Sequence, residues 1–155
     1  MKILLQTLFF LVTLTCLGWL VPWGLYELGL NNIDGRPTAS ISRPISLDDD
    51  AVLRRVLKAK NGFSIAPLSP GGYFVGLVMA DSKRSAEESG MYAAWIVARS
   101  YNYSHLQHNQ ALWWHLSGAA LTIWITRNWT SDQILSRAAE LVKQHEMLHS
   151  GGVLN

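Results

Sequence analysis

Long apolar stretches separated by short polar ones divide the chain into predicted helices. The central stretch, residues 111–135, begins almost wholly apolar and is too long for a single strand. Its side chains recur at intervals of three and four residues, the spacing of a helix face that packs into a core. This predicted face comprises Leu112, His115, Leu116, Ala119, Ala120, Ile123 and Trp124. Thr130 or Ser131 can cap a second helix that begins near Asp132, so the pattern predicts a helical hairpin on which the rest of the chain packs.

Another apolar stretch, Ile3 to Val21, lies at the N-terminus and contains Gln6 as its only strongly polar residue. Its length is close to the roughly 20 residues that span a bilayer. Trp19, Trp23 and Tyr26 follow it, as in the aromatic belt at a membrane surface. A cleaved signal peptide is the alternative. The stretch is longer than the usual core of a signal peptide and lacks a small-x-small cleavage site after it, so we expect an uncleaved anchor.

The charges around this anchor predict its orientation. Lys2 is the only charged residue before the apolar stretch. The short N-terminus should therefore stay in the cytoplasm, with the remainder on the other side of the membrane. In a bacterium, the protein would be a single-pass protein of the inner membrane with a periplasmic C-terminal domain.

The rest of the chain reads as mainly α, because no stretch alternates in the way of a half-buried strand. Short helices are predicted over 51–60, 73–81 and 91–103, with loops over 63–72 and 82–90. We therefore expect a transmembrane anchor over 1–28, a linker over 29–50 that contains Gly35, Pro37 and Pro44, a helical domain over 51–143 and a tail over 144–155. Residues 111–126 are also a marginal candidate for a second membrane pass.

Composition narrows the possible partners. The 155 residues carry a net charge of +2, and only 15% of them are charged. Such a chain has no basic field of the kind that binds nucleic acid, so no nucleic-acid partner is expected. The single cysteine, Cys16, lies in the first apolar stretch and excludes an intrachain disulfide.

Five short segments, in this order, resemble one family. They read A-K-N-G-F at 59–63, S-G-M-Y-A-A-W-I-V-A-R-S at 89–100, W-H-L-S-G at 114–118, I-T at 125–126 and S-D-Q-I-L at 131–135. With the anchor in front, this order resembles the monofunctional peptidoglycan glycosyltransferases and the transglycosylase domains of penicillin-binding proteins. The resemblance implies a small, helical, lysozyme-like domain at the outer face of a bacterial inner membrane.

The residues that carry the family's chemistry are mostly replaced. Laid against the family pattern, Ala59 stands where a carboxylate takes the proton of the acceptor hydroxyl, and alanine cannot act as a general base. Gly118 and Thr126 stand at two further acidic positions, and Gln110 and His115 at basic ones. Arg99 keeps its positive charge. The resemblance therefore implies a divergent relative that has lost glycosyl transfer.

This resemblance predicts a pseudoenzyme that acts as a binding or scaffolding accessory in peptidoglycan assembly or in an envelope-spanning machine. Its partners would be envelope or peptidoglycan-synthesis proteins and, through Arg99, the lipid-linked peptidoglycan precursor. No catalytic residue and no cofactor is expected. One alternative concerns Arg99, which can be an ion-paired or snorkelling residue at a helix edge instead of a phosphate ligand. The other concerns catalysis, since a shifted alignment can bring Asp81 or Glu87 to the catalytic position.

A second motif lies near the C-terminus. His145, Glu146 and His149 spell H-E-x-x-H on a predicted helix. At this spacing, two imidazoles can hold Zn²⁺ while the glutamate activates a water, as in zinc-dependent hydrolases. The place of a third ligand falls on Asn155, the last residue. We therefore expect no metal site here and interpret both histidines as exposed residues near a helix C-terminus.

Overall fold

The computed structural model describes residues 2–39, 44–73, 85–108 and 110–150, and all regular elements within them are helices. These helices are α1 (Lys2–Asn31), α2 (Leu47–Leu57), α3 (Ala86–His105), α4 (Ala111–Asn128) and α5 (Ser131–Ser150). Residues 70–73 are helical as well. The prediction of a mainly α protein is thus confirmed. Most of the helix predicted over 73–81 lies outside the described residues.

Helix α4 lies at the centre and packs against α1 on one side and α3 on the other. Its buried residues include Ser117, Gly118, Leu121, Thr122 and Ile125. Our predicted buried face was wrong at its beginning, because Leu112 is 74% exposed and His115 is also exposed. The small side chains among these buried residues let α1 and α3 approach α4 closely. The buried hydroxyl of Thr122 is satisfied within α4, since it donates to the Gly118 carbonyl at 2.8 Å.

The turn from α4 into α5 follows the prediction, but the packing of α5 does not. The N–H of Gln133 donates to the Thr130 hydroxyl at 3.3 Å, and the N–H of Thr130 donates to the Gln133 side chain at 2.8 Å. This reciprocal cap begins α5 at Ser131. Helix α5 packs mainly on α2 and α3 rather than on α4. The two helices are therefore consecutive without forming a closely packed hairpin.

Helix α1 is both the candidate anchor and a part of the domain. Its segment Leu5–Asn31 is long and apolar enough to cross a membrane, with a mean hydropathy of 1.9, and it is the one such segment in the described ranges. Ten of its apolar side chains between Leu5 and Val21 are 50–75% exposed. At its other end, Gly29 and Leu30 are buried against α4. Residues 111–126, the marginal candidate for a second membrane pass, are not such a segment and form most of the partly buried helix α4.

Residues 29–33, which we expected to open the linker, belong to the folded domain. The buried Asn32 side chain donates to the Ser117 hydroxyl at 3.0 Å and accepts from the His108 N–H at 3.1 Å. Ile33 pairs with Leu106 in an isolated β-bridge. These bonds join the end of α1 directly to α4 and to the segment between α3 and α4.

Three other helix ends differ from the prediction, and two of them do so because of local caps. Helix α2 begins at Leu47, four residues early, since the Ser46 hydroxyl accepts from the Asp49 N–H at 3.1 Å. Helix α3 begins at Ala86, where a capping box between Ser85 and Glu88 makes 86–90 helical instead of a turn. Helix α5 continues to Ser150, through most of the expected tail.

Candidate functional site

A groove of about 440 Å³ opens where α1, α3 and α4 meet. We call it the Arg99 groove. Its wall is mostly apolar, and its polar groups come from α3, α4 and the helical residues 70–73. The lining residues are Leu25, Tyr73, Trp95, Arg99, Asn102, Leu112, Trp114, His115, Leu116, Gly118 and Ala119.

Arg99 is exposed and lies between two indole rings. Its guanidinium carbon is 5.1 Å from the ring centroid of Trp95 and 5.6 Å from that of Trp114. Both distances are within the range of cation–π attraction. No carboxylate in the described ranges forms a salt bridge with it. The aromatic rings therefore orient the cation and leave its N–H donors available to an anionic group.

Asn102 and His115 supply the other polar groups near Arg99. Asn102 is fully buried and its side-chain N–H₂ donates to the Trp114 carbonyl at 2.9 Å, which fixes the start of α4 against α3. Its Oδ1 atom is buried and has no hydrogen-bond partner among the described residues. The exposed His115 ring stands edge-on to the Trp114 ring, with centroids 4.9 Å apart.

Tyr73 is a buried member of the groove wall, with 5% of its surface exposed. A side-chain hydrogen bond joins it to Thr122 of α4. Burial, partly offset by this hydrogen bond, raises the pKa of the Tyr73 phenol above 10.0. The phenol is therefore neutral at physiological pH and acts as a fixed polar contact.

The groove brings together three positions that were singled out in the sequence, namely Arg99, His115 and Gly118. No carboxylate of the described residues lines it. Ala59, at the position of the family's general base, is buried with 1% exposure. Thr126 is also buried and accepts the Leu68 N–H at 3.2 Å, so it is a structural residue.

The remaining acidic candidates lie elsewhere. Glu87 is exposed in the first turn of α3 and is not part of the groove wall. Asp81 lies outside the described residues. The site as described can bind an anion or an amphipathic molecule. Its described wall offers no carboxylate that could accept a proton from a sugar hydroxyl, and its one imidazole is that of His115.

Within the H-E-x-x-H segment, Glu146 forms an ion pair. Both Glu146 oxygens accept from one guanidinium nitrogen of Arg55, at 2.8 and 2.9 Å, and this pair joins α5 to α2. His145 is exposed. The side chain of His149, and Asn155, lie outside the described residues. Within the described part, no three His, Cys, Asp or Glu side chains group as metal ligands would.

The tryptophans divide between the core and partly exposed positions. Trp129 is 8% exposed and belongs to the core, whereas Trp113, Trp114 and Trp124 are partly buried. Sequence reasoning missed Trp95, Asn102 and Tyr73 as members of the groove. The first two could have been found, because positions 95, 99 and 102 follow the spacing of one helix face. Tyr73 reaches the groove only through the tertiary fold.

No protein-family model, no curated protein and no solved structure matches this chain.

Proposed function

We propose that this protein is a membrane-anchored, non-catalytic relative of the peptidoglycan glycosyltransferases. In this proposal, α1 holds the domain at the periplasmic face of a bacterial inner membrane. The domain acts as a binding or scaffolding accessory for proteins that build the envelope or cross it. The Arg99 groove would contact a phosphate-bearing lipid-linked precursor weakly, or a segment of a protein partner.

The observation that carries the proposal is the composition of the groove. Arg99 lies on α3, His115 and Gly118 lie one helical turn apart on α4, and each of the three stands at a position where the family has a functional residue. Their meeting in one groove is what a common ancestral site would give. The absence of a carboxylate from the described groove wall supports loss of the reaction, since removal of a general base alone costs about 10²–10⁴-fold in rate.

The charge of the groove favours a protein partner over tight binding of a lipid-linked sugar. Arg99 is the one permanently charged residue in the described wall. Strong phosphate binding normally combines several cationic or N–H donors. Trp95, Trp114 and Leu112 offer a larger apolar and aromatic surface, which suits the anchoring side chains of a protein interface.

The proposal is tested with the full-length protein in detergent and in nanodiscs. We expect no polymer from a fluorescent lipid-linked disaccharide precursor, under conditions in which an active glycosyltransferase produces one. Cross-linking in membranes should capture envelope-assembly proteins. Capture should fall with Arg99→Ala and remain with Arg137→Ala, since Arg137 pairs with Glu140 on another part of the surface.

Polymerisation that is lost on Asp81→Asn or Glu87→Gln would contradict the pseudoenzyme and support the shifted alignment. Zinc that copurifies in equal amount with the chain and disappears with His145→Ala would support the hydrolase alternative. Capture that is unchanged by Arg99→Ala would remove the groove from the proposal.

A further inference from the structure

Arg127 lies in the last turn of α4, is exposed, and is not used by the Arg99 groove. Its guanidinium carbon is 5.4 Å from the ring centroid of Trp23 on α1. Within the described part of the chain, no carboxylate pairs with it. An exposed arginine held over an aromatic ring keeps its N–H donors free for an external anion.

The packing of α1 on α4 places this pair at one end of the domain. Gly29 of α1 lies beside Leu116 of α4, since a Cβ atom on Gly29 would be 2.7 Å from the Leu116 carbonyl oxygen. Trp23, which comes earlier on α1, lies beside Arg127, which comes later on α4. The two helices therefore run antiparallel. The C-terminal end of α4 faces the exposed apolar segment of α1, and its N-terminal end faces away from it.

The length of α1 would place Trp23 and Arg127 near the surface of a bilayer. A span of roughly 20 residues crosses the hydrocarbon core, and counted from Leu5 it ends next to Trp23. Trp23 is 38% exposed, and tryptophan is enriched at the level of the lipid head groups. Arg127 then lies at the depth of the lipid phosphates.

A loop of the domain reaches the same level. Ser69, Gly71 and Gly72 share a cavity of about 290 Å³ with Gly18, Pro22 and Trp23 of α1. Gly18 lies four residues, or about 6 Å, closer to the bilayer centre than Pro22. This loop therefore lies beside α1 at the point where the helix would leave the membrane.

We propose that this membrane-facing rim, formed by Trp23, Arg127, Asn128 and residues 69–72, is a binding surface for phospholipid head groups. The Arg127 guanidinium binds a lipid phosphate, the Trp23 ring lies beside the lipid glycerol, and the turn between α4 and α5 rests on the bilayer. Because α1 must span the bilayer for the rim to reach lipid, the site rests on the proposed function.

Depth measurement tests the site in the full-length chain. Cys16→Ser removes the single native thiol, and a fluorescent probe is attached after Asn128→Cys. The control carries Tyr103→Cys, at a residue that is 85% exposed and lies beside the N-terminal end of α4. Both proteins are reconstituted into phosphatidylcholine–phosphatidylglycerol vesicles that contain head-group spin-labelled lipid.

We expect the spin label to quench the probe at position 128 several-fold more than the probe at position 103. Arg127→Gln should remove most of this difference, while Arg127→Lys should retain part of it. Arg137→Gln, which changes an exposed arginine away from the rim, should leave it unchanged. Equal quenching at the two positions, or quenching at 128 that is insensitive to Arg127→Gln, would overturn the head-group site.

Extraction with alkaline carbonate separates the two possible failures. A chain that leaves the vesicles in carbonate is not anchored, and both the anchor and the head-group site fail. A chain that stays in the vesicles but shows equal quenching at 128 and 103 keeps its anchor and loses only the head-group site.

Discussion

At the scale of single residues, buried polar side chains connect the helices of this protein. Asn32 uses its amide to bond Ser117 of α4 and the backbone of His108. Asn102 bonds the Trp114 carbonyl, and Tyr73 bonds Thr122. Each of these hydrogen bonds forms only in the folded arrangement, so each fixes the position of one segment relative to another.

Tyr73 gives a prediction about alkaline stability. Its pKa is raised in the folded state, mainly by burial. The unfolded chain therefore loses the phenol proton first as the pH passes 10.0, and the free energy of unfolding should fall as the pH rises further. Below that pH, the contribution of the Tyr73 phenol to the free energy of unfolding is fully present.

In Tyr73→Phe, the free energy of unfolding should fall less as the pH rises above 10.0, because the phenol whose pKa is raised by folding is absent. Near neutral pH, the same variant should be less stable by about 1 kcal/mol, since the hydrogen bond to Thr122 is lost. Denaturant unfolding in detergent at several pH values measures both effects. An identical pH dependence for the two proteins would contradict the buried position of this phenol.

At the scale of elements, glycine determines how closely α1 and α4 approach. A Cβ atom at Gly29 would lie 2.7 Å from both the Leu116 carbonyl oxygen and the Ala120 Cβ atom. Backbone atoms cannot move aside as a flexible side chain can. Gly24, on the same helix, would meet nothing within 4 Å.

Gly29→Ala should therefore lower the Tm in detergent and cost about 1–3 kcal/mol, because the two helices must separate. The matched control, Gly24→Ala, should keep or raise the Tm, since alanine favours a helix by about 0.5–1 kcal/mol over glycine. Thermal unfolding followed by circular dichroism compares the two. Equal Tm values would mean that α1 does not pack on α4 as described.

At the scale of the whole molecule, the apolar helix α1 is the basis for the proposed location of the protein. Its exposed apolar segment precedes a helical domain whose helices cover one another. Lys2 is the only charged residue before that segment. From the positive-inside rule, we predict that the N-terminus lies in the cytoplasm and the domain outside.

Fusions after Asn155 measure this orientation in a bacterial host. Alkaline phosphatase, which folds only outside the cytoplasm, should be active. A green fluorescent protein exported in unfolded form should be dark. The opposite pattern would place the domain in the cytoplasm and would end the proposed role in the periplasm.

The sequence by itself determined the helical class, the apolar N-terminal segment and the start of α5, because periodicity and caps are local properties. Thr130 and Gln133 form their reciprocal cap from neighbouring residues alone. The sequence also singled out Arg99, His115 and Gly118, through a resemblance to known motifs. It could not show that these residues line one groove with Tyr73, which is distant in the chain.

Only the tertiary structure decided which side of α4 is buried and which partner Glu146 has. The apolar pattern favoured a face with Leu112 and His115, but close packing of α1 and α3 selected the face with small residues such as Ser117 and Gly118. Likewise, the H-E-x-x-H spacing suited a metal, whereas Arg55, from a distant helix, bonds the glutamate. A local pattern restricts the faces a helix can bury, and the neighbouring helices determine which of them is buried.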